Sequence, residues 1–290
     1  GTLMERMTVG IVGLGLIGAS FAKSYKEFSQ DTENNFSVRI LAYDKDESVT
    51  LMAKMQGFCD DTLTKDNLKE CDLVLICLYP RATIEYIEDN QCYFAKNGLV
   101  IDTCGTKRKV CEAGFRIASK NGFEFVGGHP MAGTKYSGMS HSKATMFNGA
   151  PMVIVPSRFD DMELIDRVSK ALYPAQFGSF GISHADTHDE YIAFTSQMAH
   201  LVSNAYIKSP RANAHKGFSA GSYKDMTRVA WLNNKMWSEL FIENKDNLIK
   251  EIDTLVDELL KYKKVMEQDD EETLAKLLEE GKKRKEEIDG

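Results

Sequence analysis

Short apolar runs alternate with amphipathic helical patterns through roughly the first 180 residues of the chain. The runs are rich in Val, Ile and Leu with little polar interruption, which is typical of strands buried on both faces. They predict strands at Thr8–Val12, Val38–Tyr43, Leu73–Leu78, Leu99–Ile101, Phe123–Val126 and Met152–Val155, and a weaker one at Phe177–Ile182. A helix is predicted at Ala19–Phe28, directly after the first strand. This alternation indicates an α/β fold with a mostly parallel sheet covered by helices.

The hydrophobic period changes at about residue 183, and no convincing strand follows it. Long helical patterns replace the alternation, at Ala185–Ile207, Tyr223–Asn233, Asn234–Tyr262 and Asp270–Ile288. We therefore predict two domains, an α/β domain over residues 1–182 and an all-α domain over residues 183–290. The last helix is rich in Lys and Glu, and we expect it to pack on its own domain or on a partner subunit.

Composition and charge narrow the class of protein. The 290 residues carry a formal net charge of -7, which argues against a general nucleic-acid binder but permits an anionic small substrate at a local positive site. The six cysteines form no Cys-x-x-Cys pair, so we expect reduced thiols in a cytoplasmic protein and no metal site. No apolar run approaches the ~20 residues of a membrane span.

A glycine-rich turn comes directly after the first predicted strand and opens the first helix. It has the spacing Gly13-x-Gly15-x-x-Gly18. The first glycine permits the tight turn, the second lets a pyrophosphate approach the backbone, and the third allows close helix–strand packing. The backbone N–H groups of Leu16 and Ile17 then face the phosphates at the positive end of the helix. This context predicts a Rossmann-type, doubly wound dinucleotide-binding domain.

The acidic partner of such a turn is expected at the end of the second strand, where Asp44 stands. A carboxylate there accepts hydrogen bonds from the adenosine ribose, which favours NAD over NADP. Asp44 lies further from Gly18 than the usual ~20 residues, and the polar stretch of residues 29–35 is interpreted as an inserted loop. Lys45 follows directly and is the residue that would suit the 2′-phosphate of NADP.

The segment Asp102–Lys107 follows another predicted strand, at the edge where open α/β sheets bind ligands. We assign Thr103 to the cofactor site. Thr106 offers a hydroxyl close to the expected position of the nicotinamide, although a role in a turn or helix cap is nearly as well supported.

A histidine stands in the segment Gly127–Thr134, after the predicted strand Phe123–Val126. The pattern Gly-Gly-His-Pro predicts a rigid loop that presents the His129 imidazole, a side chain suited to moving a proton near neutral pH. Gly133 and Thr134 lie in the same loop and are expected to contact the substrate.

Three polar residues stand out in the helical half. Arg228 could hold a substrate carboxylate by a bidentate contact, or form a surface salt bridge, and the sequence does not decide between them. His200 lies one turn from Gln197 on the same helix face. Both are candidate substrate-binding residues, and the alternative for His200 is a buried structural histidine.

Together these motifs resemble the prephenate dehydrogenase family of tyrosine biosynthesis, from Val9 to about Leu260. The most specific matches are Gly128–Gly138, Lys224–Arg228 with Trp237 and Phe241–Lys245, and the pair His188-Asp189. The resemblance implies a Rossmann domain, a helical domain that forms a homodimer, and NAD-dependent oxidative decarboxylation of prephenate to 4-hydroxyphenylpyruvate.

The resemblance also implies roles for individual residues. His129 takes the proton of the ring hydroxyl, a hydride leaves the same ring carbon for the nicotinamide, and loss of carbon dioxide makes the product aromatic. Arg228 holds a prephenate carboxylate, His200 lies on the substrate side, and Thr106 assists His129. Many members carry Ser at the position of Thr106, and some carry His at the position of Gln197. Some also carry a further regulatory domain, which is not expected within these 290 residues, so any inhibition by tyrosine is expected to act at the substrate site.

Three other functions are compatible with these residues. Arogenate dehydrogenase performs the same chemistry on the amino analogue of prephenate. Dehydrogenases of the β-hydroxyacid type share the layout but rely on a lysine in the helical domain, and the His129 segment argues against them. A dinucleotide-sensing protein would bind NAD without turnover.

Overall fold

The computed structural model describes residues 5–134 and 136–290, and within these ranges eight strands form one sheet. The strands are β1 Arg6–Val12, β2 Ser37–Tyr43, β3 Asp61–Thr62, β4 Leu73–Ile76, β5 Leu99–Asp102, β6 Glu124–Pro130, β7 Pro151–Val155 and β8 Ser179–Ile182. They lie in the order β3-β2-β1-β4-β5-β6-β7-β8. All neighbouring pairs are parallel except β6 and β7. The predicted doubly wound, mostly parallel sheet is therefore confirmed.

Helices cover both faces of this sheet. They are α1 Leu16–Gln30, α2 Glu47–Met55, α3 Pro80–Asn90, α4 Arg108–Asn121 and α5 Met162–Ala171. Every residue of β4 and β5 is buried, which explains their uninterrupted apolar sequence. On one face Phe21 of α1 stacks on Phe147, with ring centroids 4.2 Å apart. On the other face Phe125 of β6 packs edge-on against Phe115 of α4.

The second half of the chain is helical. Its helices are α6 Ala185–Ile192, α7 Ala199–Tyr206, α8 Gly221–Thr227, α9 Asn234–Glu243, α10 Lys245–Glu267 and α11 Glu271–Asp289. The sheet ends at Ile182 and α6 begins at Ala185, while the exact domain boundary stays a prediction. Among the described residues no helix is long and apolar enough to cross a membrane.

Two predicted helices are interrupted in the structure, and a third, Tyr223–Asn233, is shorter than predicted because α8 ends at Thr227 and the 3₁₀ turn Arg228–Ala230 follows it. The pattern at Ala185–Ile207 contains a π-helical turn, Ala193–Met198, between α6 and α7. The pattern at Asn234–Tyr262 is divided at Asn244, whose φ of -116° and ψ of 24° are not helical. Both interruptions lie where side chains bind across neighbouring elements, and hydrophobic periodicity does not report such contacts.

Two expectations about loops are corrected. The polar stretch at 29–35 is not a simple loop, because α1 extends to Gln30 and a 3₁₀ turn covers Thr32–Asn34. His129 does not lie on an irregular loop but inside β6, opposite Val153 of β7. The antiparallel partner strand extends β6 to Pro130, and a pairing so distant in sequence leaves no local signal in the Gly-Gly-His-Pro segment.

Candidate functional site

The glycine-rich turn has the geometry that a dinucleotide phosphate requires. Gly13 has a φ of +90° and donates its N–H to the carbonyl of Tyr43 at 2.7 Å, where a side chain would lie 2.5 Å from the carbonyl oxygen of Cys77. A side chain at Gly18 would collide with the Gly13 carbonyl. At Gly15, in contrast, an added Cβ would meet no atom within 4 Å among the described residues, apart from its immediate surroundings in the chain. Two glycines therefore permit close packing, and Gly15 leaves open the space a ligand would occupy.

The first helix points its uncapped end at this turn. It begins at Leu16, and no side chain caps it at Gly15, so the N–H groups of its first turn are available to an anion. Asp44 stands directly after β2, where its carboxylate accepts the N–H of Leu14 at 2.8 Å and that of Asp46 at 3.0 Å. A cleft of about 240 Å³ opens beside Asp44. The predicted ribose-binding carboxylate is thus fixed against the glycine turn.

The segment after β5 carries the two predicted threonines. Thr103 donates both its N–H and its hydroxyl to the carbonyl of Ile76, at 3.1 and 3.3 Å, so it joins the carboxyl ends of β4 and β5. Thr106 is 4% exposed. Among the hydrogen bonds of the described residues, none joins Thr106 to His129, and its assisting role stays a prediction.

His129 belongs to a hydrogen-bonded series of three side chains. Its Nδ1 lies 2.8 Å from Nε2 of His188 at the second turn of α6. Nδ1 of His188 lies 2.8 Å from Oδ1 of Asp189. Burial lowers the pKa of His129 well below its usual value, and the neighbouring His188 and Lys107 lower it further. His129 is therefore neutral at neutral pH and able to accept a proton.

A buried ion pair holds the backbone next to His129. Lys107 and Asp102 are both 0% exposed and form a salt bridge. Lys107 also donates to the carbonyl of Gly128 at 2.5 Å, and Asp102 accepts the N–H of Gly128 at 3.1 Å. Burial opposes the charge on Lys107, but the adjacent Asp102 raises the net pKa above the usual value. The pair thus fixes both backbone groups of the residue that precedes His129.

Asp189 joins the two halves of the chain. It accepts the backbone N–H groups of Lys107 and Arg108, at 2.7 and 3.0 Å, where α4 begins. The Arg108 side chain adds a bond to Asp189 at 3.2 Å and an ion pair with Asp246 at 2.6 Å. Burial raises the pKa of Asp189, but the hydrogen bonds from His188 and from the backbone outweigh it and lower the pKa overall. Asp189 remains a carboxylate.

A second histidine lies on α7. The ring of His200 stacks on Trp237 of α9, with centroids 4.0 Å apart. Its Nδ1 lies 2.8 Å from the carbonyl of Ser196 in the π turn, a carbonyl that also accepts the N–H of Ala199. Because a carbonyl only accepts, Nδ1 carries the hydrogen and Nε2 is an acceptor. Burial lowers the pKa of His200, and the charge of Arg228 lowers it further.

Arg228 is exposed at the start of the 3₁₀ turn Arg228–Ala230, which follows α8. Asn204 of α7 donates to the carbonyl of Ala230 at 3.1 Å and ties this turn to the helix that carries His200. Within the described part of the chain Arg228 has no carboxylate within 4.0 Å. The structure therefore favours a free cation beside His200 over the alternative of a surface salt bridge.

The remaining predicted substrate residues differ in accessibility. Gln197 is 1% exposed, donating to the carbonyl of Leu240 at 3.2 Å and accepting from Asn244 at 2.8 Å. Its amide thus supports α9 and the break at Asn244, which favours a structural role over a substrate contact. Gly133 and Thr134 are exposed, and Lys135 of the same motif lies outside the described residues.

The position of Gly105 shows which part of the molecule Nε2 of His129 faces. A Cβ placed at Gly105 would lie 3.8 Å from Nε2 of His129 and 3.2 Å from Leu240 of α9. Nε2 is therefore next to the place where the segment after β5 meets the helical half. The sequence suggested His188 and Asp189 only through the resemblance, because nothing in their local pattern reports a partner 59 residues away.

Two family models match the chain. One, described as the nucleotide-binding domain of prephenate dehydrogenase, matches residues 30–176. The other, described as the prephenate dehydrogenase dimerization domain, matches residues 184–280. One match lies in the part of the chain that forms the sheet, and the other lies in the helical half.

Curated relatives support the same family. A prephenate dehydrogenase of Bacillus subtilis is 28% identical over 279 residues, which are 92% of this chain and 72% of the relative. A cyclohexadienyl dehydrogenase of Zymomonas mobilis is 27% identical over 284 residues, 95% of this chain and 94% of the relative.

Among solved structures, prephenate dehydrogenase from A. aeolicus in complex with hydroxyphenyl propionate and NAD+ is similar with a TM-score of 0.82. It is 27% identical, and the match covers 97% of this chain and 98% of that one. These matches extend over both halves of the molecule.

Proposed function

Since the chain belongs to the prephenate dehydrogenase family and is an oxidoreductase, we propose that it catalyses the oxidative decarboxylation of prephenate to 4-hydroxyphenylpyruvate with NAD. The observation that carries the proposal is the His129 imidazole. Its Nδ1 is engaged by His188, and its Nε2 faces the boundary between the sheet and the helical half.

His129 acts as the base in this reaction. Nε2 accepts the proton of the ring hydroxyl, which makes loss of hydride from the same carbon easier because an alkoxide is a better hydride donor than an alcohol. Breaking the bond to the ring carboxylate releases carbon dioxide and leaves its electron pair in the ring. The ring becomes aromatic, and the proton held by His129 returns to the phenolic oxygen.

The residues around the glycine turn fit a dinucleotide cofactor. Gly15 leaves space for the pyrophosphate, and the first turn of α1 offers uncapped N–H groups to it. When bound, the nicotinamide supplies the hydride acceptor. The structural relative crystallised with NAD+ has the same fold over nearly its whole length.

NAD is preferred over NADP in this proposal because Asp44 occupies the ribose position beside the glycine turn. Its carboxylate would bind ribose hydroxyls and repel a 2′-phosphate. Lys54 lines the same cleft but already donates to Thr62 at 2.8 Å and lies 3.7 Å from Asp61. Lys45, the residue that the sequence offered for the 2′-phosphate, is exposed directly after Asp44, so NADP is the alternative that the assay below tests.

The helical half supplies the groups for the anionic substrate. Arg228 holds a carboxylate of the substrate, and His200 lies beside it on the substrate side. Prephenate and arogenate share the cyclohexadienyl ring and differ in one keto or amino group, so arogenate is the second candidate, consistent with the name of the Zymomonas mobilis relative. Tyrosine, which resembles the product, would inhibit at this same site.

We further propose that the helical half, from about residue 183, forms a homodimer as its family model describes. Helix α10 exposes several large apolar side chains that an interface would cover, namely Ile249, Val256, Leu259 and Leu260. Light scattering of the purified chain would show a dimer, and a monomer at micromolar concentration would contradict this assignment.

The experiment that tests the reaction is an absorbance assay of nicotinamide reduction with prephenate or arogenate, each combined with NAD or NADP. We expect turnover with prephenate and NAD. Turnover only with arogenate or with NADP would correct the specificity and leave the role of His129 intact. No turnover in any combination, with NAD still bound, would overturn the proposal in favour of a sensor or another substrate.

A further inference from the structure

The hydrogen-bonded side chains behind His129 are His188 and Asp189, and the series ends in the Asp189 carboxylate. If both histidines are neutral, only one placement of their hydrogens satisfies both hydrogen bonds. We propose that His188 and Asp189 are positioning residues that hold His129 as the Nδ1–H tautomer, with its Nε2 lone pair directed at the substrate. This inference rests on the proposed function, in which His129 is the base.

The tautomer follows from the acceptor at the end of the series. Asp189 is a carboxylate and can only accept, so Nδ1 of His188 carries a hydrogen. In a neutral His188 the other nitrogen, Nε2, is then an acceptor. Nδ1 of His129 lies 2.8 Å from it and must donate. Nε2 of His129 is left without a hydrogen, which is the state a base requires.

The surroundings disfavour the alternative, in which His188 is doubly protonated and His129 carries its hydrogen on Nε2. That state adds a positive charge to a site where His188 is 5% exposed and the Lys107 ammonium is fully buried nearby. Asp189 already neutralises part of the Arg108 charge and accepts two backbone N–H groups. The neutral pair of imidazoles adds no further buried charge.

The same series stabilises the protonated intermediate. When Nε2 of His129 takes the hydroxyl proton, the imidazolium still donates through Nδ1 to His188, which donates in turn to the Asp189 carboxylate. The positive charge is thus compensated without movement of any side chain, as electrostatic preorganisation requires. Lys107 opposes this charge, so the carboxylate at the end of the series is the compensating group.

Side-chain NMR tests the tautomer directly. The full chain, labelled with ¹⁵N-histidine and free of substrate and cofactor, would be examined by long-range ¹H–¹⁵N correlation at neutral pH, with His129→Asn used for assignment. We expect the pattern of a protonated Nδ1 and an unprotonated Nε2 for His129. A hydrogen on Nε2 would overturn the inference. Since no turnover is needed, this result is independent of whether the proposed reaction is correct.

Steady-state kinetics test whether His188 and Asp189 support proton transfer to His129. His188→Leu removes the acceptor, and we expect kcat to fall by roughly 10²-fold while KM changes little, because His188 is buried behind His129 and tautomer control acts on proton transfer. His188→Gln retains an amide oxygen that can accept from Nδ1, and we expect it to recover about tenfold of that loss.

Ile192→Val serves as the matched control, because Ile192 is buried one turn further along α6 and has no polar contact with His129. We expect its kcat to remain at the wild-type value. Unchanged kcat in His188→Leu, or equal losses in all three variants, would overturn the positioning role. If His188→Leu fails to fold, His188→Gln and the NMR spectrum of the wild-type chain still decide.

Discussion

His129 and His200 both carry their ring hydrogen on Nδ1, but different groups accept that hydrogen. In each ring Nδ1 is engaged and Nε2 is available. Behind His129 the series continues through His188 to the Asp189 carboxylate, whereas behind His200 it ends at the neutral carbonyl of Ser196. A carboxylate compensates an added proton, and a carbonyl dipole does so weakly.

The surroundings of the two rings increase this difference. Burial lowers both pKa values, and each ring also faces a cation, Lys107 for His129 and Arg228 for His200. Lys107 is paired with Asp102, whereas Arg228 has no ion-pair partner in the described residues. Protonation of His200 would place two cations side by side. We infer that His129 moves protons and that His200 stays neutral beside Arg228, so similar tautomers serve different functions.

The largest expected effect comes from His129→Asn. The variant retains a polar side chain of similar size but lacks a base, and we expect kcat to fall by about 10³-fold or more. Binding of NAD, measured by fluorescence titration, should stay near normal because the glycine turn is untouched. Activity at the wild-type level would remove His129 from the mechanism.

Arg228→Ala should have the next largest effect. Loss of a bidentate contact to a carboxylate costs about 2–3 kcal/mol, so KM for prephenate should rise by roughly 10²-fold. Affinity for NAD should not change, because Arg228 lies in the helical half. Equal losses of both affinities would indicate a folding defect instead, and circular dichroism of the variant serves as the control.

Asp44→Ala changes the cofactor-binding part of the site and should leave the roles of His129 and His200 unchanged. We expect the Kd for NAD to rise by about tenfold, which corresponds to the loss of charge-assisted hydrogen bonds to the ribose. Discrimination against NADP should weaken as well. Unaltered NAD binding would show that Asp44 does not contact the ribose.

The smallest effect is expected for His200→Gln, which keeps a polar side chain on the substrate side. Stacking on Trp237 and the ring's hydrogen bond to the Ser196 carbonyl are lost, so KM should rise by less than about tenfold and kcat should be nearly unchanged. A fall in kcat comparable to that of His129→Asn would break the distinction between the two histidines.

Sequence patterns predicted the parts of the site that depend on local spacing. The roles of Gly13, Gly15 and Gly18 followed from their position between strand and helix, and the geometry at each agrees with them. Asp44 was located by the end of a strand despite its unusual distance from the turn. The sheet and the change to helices were predictable for the same reason, because strands and helices each have their own hydrophobic period.

Features that depend on distant contacts were not predictable in this way. The extension of β6 through His129 arises from pairing with β7, and the interruption at Asn244 lies where its side chain binds Asp189 and Gln197. The burial of Lys107 also depends on a distant assembly, since its partner Asp102 sits on a strand that becomes buried only in the assembled sheet.

The pH dependence of kcat/KM in wild type, His200→Gln and His129→Asn tests most directly which histidine is the base. Because the pKa of His129 is lowered, it stays neutral as the pH falls through about 6.5, the ordinary value, and activity is lost only at more acidic pH. We expect this acid limb in wild type and in His200→Gln, and no such limb in the residual activity of His129→Asn. An acid limb that disappears in His200→Gln and persists in His129→Asn would contradict the assignment.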